Sequence, residues 1–269
     1  MVGTTAKSTA RATRNSRPLH FLARLGFAVS GLLHALIGVI AIGVATNPGA
    51  GEADQSGALG ELASTPGGVF LLWVVVIGLA ALGLWLLISA FLNPGLRGRK
   101  RVARTVSQLG KAIVYFVLAF SALTFARGQT MNSATSTRDL SAKLLAAPGG
   151  VLVVLLVGVA VFGVGIYCLV KGVGRGFERD LRLPAGTAGR ATVASGVVGY
   201  VAKGIALGAV GVLFVVAAAT VNPEGADGLD GALRALASLP LGVVILVLVG
   251  AGFIAYGVYS FVRARFAHM

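Results

Sequence analysis

Three times along this chain, two long apolar runs are joined by a loop that ends in a proline–glycine break, and the third copy nearly rewrites the first. Residues 26–31 read GFAVSG and residues 199–204 read GYVAKG, each followed seven positions on by a glycine, Gly38 and Gly211. The joining segments read GALGELASTPGG from Gly57, LSAKLLAAPGG from Leu140 and GALRALASLPLG from Gly231. An internal repeat decides the architecture first, because each unit must bury its apolar face against its neighbours.

The apolar runs are of membrane length. A hydrocarbon core of about 30 Å needs roughly 20 apolar residues as a helix. Residues 25–46, 67–92, 144–170 and 235–262 contain no charged side chain, and two further runs are interrupted only near one end, by Lys111 and Lys203. With 56% hydrophobic residues, 12% charged residues and a mean hydropathy of +0.88, no single soluble core could hide this surface. The expectation is an all-α integral membrane protein with six transmembrane helices. They form three tandem parallel two-helix repeats about a pseudo-three-fold axis near the membrane normal.

The boundaries expected are a disordered basic cytoplasmic tail at 1–20, repeat 1 at 21–92, repeat 2 at 107–172 and repeat 3 at 194–263. Within them the spans fall at about 21–46, 67–92, 107–127, 149–172, 194–220 and 240–263. Asn47-Pro48-Gly49, Asn93-Pro94-Gly95 and Asn222-Pro223 mark helix ends. Pro66, Pro148 and Pro240 precede the even-numbered spans, where a missing N–H costs nothing. Each external link carries a short amphipathic piece: Leu59, Leu62 and Ala63; Leu140, Leu144 and Leu145; Leu229, Leu233 and Leu236. Such pieces are too short to be stable alone in water. They read either as interfacial re-entry linkers or as three lids over a central opening.

The net charge of +14 is unevenly placed. Nineteen of the 23 basic residues fall in the N-terminal tail, the second and fourth connections with the following helix entries, and the C-terminus. The other side carries Arg127, Arg138, Lys143 and Arg234 with seven of the nine acids. Basic short loops stay in the cytoplasm. The chain therefore reads as a multi-pass protein of a bacterial cytoplasmic (inner) membrane, with both termini cytoplasmic. The charge is explained by topology and anionic lipid, not by nucleic acid. The lone cysteine, Cys168, lies within the fourth span and can form no intrachain disulfide.

Catalytic and metal patterns do not assemble. His20, His34 and His268 are scattered, no CxxC or HExxH occurs, and no Asp or Glu lies within any span. KGVGRG at 171–176 is a helix exit into a basic loop, not a phosphate loop after a strand. No enzyme, cofactor or metal site is expected, and a coupled pump is disfavoured because such pumps need acids or unwound carbonyl sites at mid-membrane.

The candidate ligand or lipid contacts are His34, Lys111 and Lys203, since intramembrane polar residues point to function by default. His34 lies near the middle of the first span, where it either bonds a neighbouring serine or carbonyl or lines the axis as a proton-sensitive group. Lys111 and Lys203 lie about one turn inside the third and fifth spans, where the first repeat has Ser30. They either snorkel to the headgroups or grip an anionic headgroup or ligand. Trp85, Tyr167 and Tyr259 hold equivalent repeat positions, as an interfacial belt would. The abundant intramembrane glycines read as intrachain packing sites, with a dimer face as the alternative.

The pattern Arg24-Leu25-Gly26, Gly57-Ala58-Leu59, Leu62-Ala63, Pro66, Gly68, Gly78-Leu79 and Trp85 returns in copy three as Gly231-Ala232-Leu233, Leu236-Ala237, Pro240, Gly242 and Tyr259. It resembles a bacterial membrane family named only as domain of unknown function 1206. Copy two departs most, lacking the GAL triplet and placing Ala112 where copy one has Gly31. The resemblance implies the fold and topology and no activity. The functional expectation is a non-enzymatic bundle that binds or passes a lipid-like or small apolar molecule along its repeat axis. The alternative is an accessory or scaffold subunit of a larger membrane complex. Membrane lipids, and either a protein partner or a second copy, are the partners expected.

Overall fold

The computed structural model describes residues 17–47, 49, 51–91, 98–181 and 185–266. Among them lie nine α-helices: α1 Arg17–Thr46, α2 Gln55–Ser64, α3 Gly68–Phe91, α4 Arg99–Ala126, α5 Ser133–Ala146, α6 Gly150–Val173, α7 Gly186–Thr220, α8 Gly228–Ala237 and α9 Gly242–Phe266. Six of them, α1 from Arg24 onward, α3, α4, α6, α7 and α9, are long and apolar enough to cross a membrane. The chain is a multi-pass, all-α membrane protein, and α2, α5 and α8 are the three amphipathic links.

Two helices begin earlier than the hydropathy suggests. α4 starts at Arg99 rather than near 107, and α7 at Gly186 rather than near 194. Hydropathy marks where a helix enters lipid, not where it starts. The basic and small residues ahead of each span, RKRVARTVSQ and GTAGRATV, contain no proline and propagate the helix into water. α1 likewise starts at Arg17, with Pro18 in its first turn. The chain before residue 17, residues 92–97 with the expected Asn93-Pro94-Gly95 signal, and His268 lie outside the described residues.

Contacts divide the chain into two compact units. One comprises residues up to 30, 62–129 and 260 onward; the other comprises 31–61 and 130–259. In the first unit, Gly26 of α1 lies against Gly78 and Leu82 of α3, and Gly83 of α3 faces the Phe116 ring of α4. Leu82, Leu86 and Ala112 form its buried cluster. In the second unit, α6 crosses α7 at Gly165, Gly204 and Gly208, and α9 crosses α1 at Gly257 and Gly31. Repeat alignment places these two glycine crossings at equivalent positions, with Gly83 and Ala112 as the corresponding residues of the remaining pair. GxxxG in α7 is therefore an intrachain crossing, as small residues allow when lipid supplies no hydrophobic drive.

The proline–glycine break is a defined turn. Residues Gly67, Gly149 and Leu241 hold φ of 78°, 75° and 63°, and the glycine that follows each turns back onto the preceding link. Gly68, Gly150 and Gly242 donate N–H to Thr65, Ala147 and Leu239 at 2.7–2.9 Å. Copy three thus places leucine in the left-handed region, which costs an L-residue about 1–2 kcal/mol. Leu241 is 77% exposed, so its side chain offers little packing in return. Leu241→Gly is expected to stabilise the protein by about 1 kcal/mol, read as a higher thermal midpoint in detergent.

Candidate functional site

Three helices of the second unit converge on the most chemically distinctive group of residues. The α1–α9 crossing is close because a Cβ on Gly257 would lie 2.7 Å from the Gly31 carbonyl oxygen. The α7–α9 crossing is equally close, since a Cβ on Gly199 would lie 2.6 Å from the Tyr256 Cα. His34 follows Gly31 by one turn, Lys203 follows Gly199 by one turn, and Tyr256 is the neighbour of Gly257. The glycines that draw the backbones together therefore bring these side chains together.

Lys203 Nζ lies 3.1 Å from His34 Nε2. The same ammonium nitrogen stands 4.6 Å from the centroid of the Tyr256 ring. The His34 imidazole packs against Tyr256 and Phe253, at centroid separations of 4.7 and 5.9 Å. Lys203 sits 17 residues from either end of α7, and His34 sits 12 residues before the end of α1, about 18 Å at 1.5 Å per residue. The lysine turns its amine to the imidazole. An N···N hydrogen bond needs one proton and one lone pair, so the contact is an amine donating to imidazole or the reverse. None of the six spans contains Asp or Glu. The amine nitrogen meets a ring face and an imidazole nitrogen.

Lys111 is not part of this group. It lies on α4 in the first unit and is exposed. The belt expected of Trp85, Tyr167 and Tyr259 also fails at one member. Tyr167 is 57% exposed, but Tyr259 is fully buried. Its ring lies 5.2 Å from Phe177 and 5.6 Å from Tyr200, in a cluster that also holds Tyr256, Cys168 and Leu181. The cluster forms because Phe177, just beyond α6, packs onto the bare backbone of Gly196.

A recurring pairing was missed in the sequence. Arg263 of α9 lies 4.5 Å over the Phe27 ring of α1, and Lys171 of α6 lies 5.4 Å over Tyr200 of α7. The two cations hold equivalent repeat positions, as do the two rings. The signal was available: the offset that aligns Tyr167 with Tyr259 also aligns Lys171 with Arg263.

The three links are bonded to one another within the second unit. Asp230, two residues into α8, accepts the Ala53 N–H at 2.8 Å, and Arg234 donates to the Gly51 carbonyl at 2.6 Å. Asn132, the cap of α5, donates its amide to Glu52, and the Ser133 N–H donates to Ser56 Oγ at 3.1 Å. Arg138 of α5 makes a two-pronged ion pair with Asp227 at the start of α8, both distances 2.6 Å. Each link is thus tied to both others. Leu233 of α8 and Leu145 of α5 are buried in the apolar clusters beneath. The three pieces are thus one hydrogen-bonded set rather than three separate linkers.

Asp54 is buried at the start of α2, where it accepts from the Ser56 N–H and hydroxyl and from the Gly57 N–H. Burial pushes its carboxyl above the ordinary range, and the nearby Asp230 charge adds to this, although the Ser56 and Gly57 bonds oppose it. Burial likewise raises Glu52. A carboxyl raised on folding stabilises the fold below its unfolded pKa, and that contribution is lost as pH rises through the folded value. The links are therefore expected to loosen as pH rises above the ordinary carboxyl range, read as a fall in amide protection in α2 relative to the intrinsic exchange rate at each pH. Asp54→Asn, which keeps an acceptor for the capping N–H groups, is expected to flatten that dependence.

Among the described residues no cluster of three metal-ligating side chains occurs. The arrangement places a lysine amine and an imidazole among aromatic rings, with the three links hydrogen-bonded to one another.

No solved structure matches the chain. An uncharacterized protein of Bacillus subtilis (strain 168), YxxB, is 33% identical over 251 residues, covering 91% of this chain and 90% of that protein. Residues 25–93, 106–175 and 198–267 each match the family described as Domain of Unknown Function (DUF1206). The recurring glycine crossings and turns belong to these three matched stretches, and the chain is a member of the DUF1206 family.

Proposed function

We propose that this chain is a non-enzymatic membrane protein that binds a lipid-like or small apolar molecule within its helical bundle. The observation that carries this reading is the Lys203–His34 contact, backed by Tyr256 and Phe253, in spans that contain no acid. An amine–imidazole pair walled by aromatic rings suits the polar end of an amphiphile, and the surrounding apolar residues suit its tail. Binding is favoured over passage because the three links are tied to one another. The distribution of basic residues supports a bacterial cytoplasmic membrane with both termini in the cytoplasm.

Native mass spectrometry of the protein released gently from its own membrane tests the proposal. The expected result is a bound molecule of defined mass. Lys203→Met is expected to lower its retention about tenfold, the effect of losing one charge-assisted hydrogen bond. Recovery of the apoprotein alone, or equal retention by the variant, would overturn the reading.

A further inference from the structure

An open groove of about 750 Å³ lies where α6 ends and α7 begins. It is separate from the Lys203–His34 contact. Arg175 and Arg190 line it together with Glu178, and its apolar wall is Val193, Val197 and Val198 of α7. Both arginines are exposed, and Val198 is 50% exposed. Helix lengths set its depth. α7 has 35 residues, about 52 Å at 1.5 Å per residue, against a hydrocarbon core of about 30 Å. α7 is therefore longer than the core requires, and the groove lies at its N-terminal end beside the end of α6. Arg190 lies nearer that end than the valines, which follow it along α7.

The backbone at Arg175 is informative. Gly174 donates to Val170, Arg175 to Gly172 and Gly176 to Lys171, which closes the end of α6. The residue that takes the left-handed conformation in this closure is Arg175, with φ 50°, although a glycine stands on either side of it. Glycine would hold this conformation without strain. Arg175, like Val221 and Leu241, thus carries a strain that glycine would avoid.

We propose that this groove is a binding site for an anionic phospholipid, with the phosphodiester between Arg175 and Arg190 and the first part of an acyl chain along Val193, Val197 and Val198. Two guanidiniums match a phosphate oxygen set, and the valine wall matches the chain that a free anion lacks. This site does not depend on the intrabundle ligand, and neither variant below touches Lys203 or His34.

The test uses the full-length protein in detergent micelles with equimolar phosphatidylglycerol and phosphatidylcholine of identical acyl chains. Native mass spectrometry reads the ratio of the two lipids retained. The wild type is expected to favour phosphatidylglycerol by roughly tenfold or more. Arg175→Gly combined with Arg190→Ala is expected to bring the ratio near one. Because Arg175→Gly relieves the left-handed strain, the single variant is expected to match or exceed wild-type thermal stability while losing much of the preference. That result separates lipid binding from a folding defect. Inorganic phosphate added in millimolar excess is expected to leave the wild-type ratio unchanged. A double variant that keeps the wild-type ratio would overturn the site, and loss of the preference in phosphate would reassign it to a free anion.

Discussion

Gly150→Ala is expected to abolish folding of the second hairpin, with little protein recovered from the membrane fraction. A Cβ at this position would lie 1.5 Å from the Leu144 carbonyl oxygen and 2.5 Å from its carbon. These are backbone atoms, so no rotamer change relieves the overlap. Relief requires opening the turn that joins α5 to α6 and breaking the Gly150 N–H bond to Ala147. The cost falls in the rare class of substitutions above about 4 kcal/mol. Gly68 and Gly242 face the same geometry, at 1.7 Å from Leu62 O and 2.0 Å from Ala237 O. Gly163→Ala in α6 is the control, since a Cβ there meets nothing within 4 Å. Expression and thermal midpoint of the two variants, measured side by side, check the prediction. A Gly150→Ala protein as stable as Gly163→Ala would refute it.

Asp230→Ala is expected to cost about 3 kcal/mol and to loosen the first link from the third, which Arg234 still holds through the Gly51 carbonyl. Asp230 is 6% exposed and joins two partners, the Ala53 N–H and the Arg234 guanidinium at 2.7 Å. Removing it leaves a buried amide donor without an acceptor and a cation without its counter-charge. Asp230→Asn keeps an acceptor for the amide and should cost about half as much. Hydrogen exchange at the amides of 51–58 reads the effect directly, with protection falling most in the alanine variant. Exchange that rose equally in α3 would instead indicate global destabilisation.

The architecture was legible because membrane burial imposes a simple rule on composition. Runs of about 20 apolar residues, the paired proline–glycine breaks and the repeat spacing each fixed a helix or a turn. The helix starts were less legible, since α4 and α7 continue through basic residues that hydropathy treats as loop. The site was half legible. His34 and Lys203 stood out as polar residues in apolar surroundings, but nothing in their spacing showed that they meet, because they lie 169 positions apart on different repeats. Lys111, the repeat equivalent of Lys203, could not be told from it by sequence and proves exposed. Tyr259 was misread because a belt residue and a buried ring look alike along a strand of letters. Only the fold of Phe177 onto Gly196 distinguishes them. The link-to-link bonds were invisible, being short polar contacts between residues with no motif.

The bond from Ala53 to Asp230 spans 177 residues of chain. During synthesis from the N-terminus, the first link emerges long before its partner exists. The first link can therefore be tied to the third only once α8 has been made. A chain of two copies lacks Asp227, Asp230 and Arg234, and with them the bonds that the third link makes to the other two.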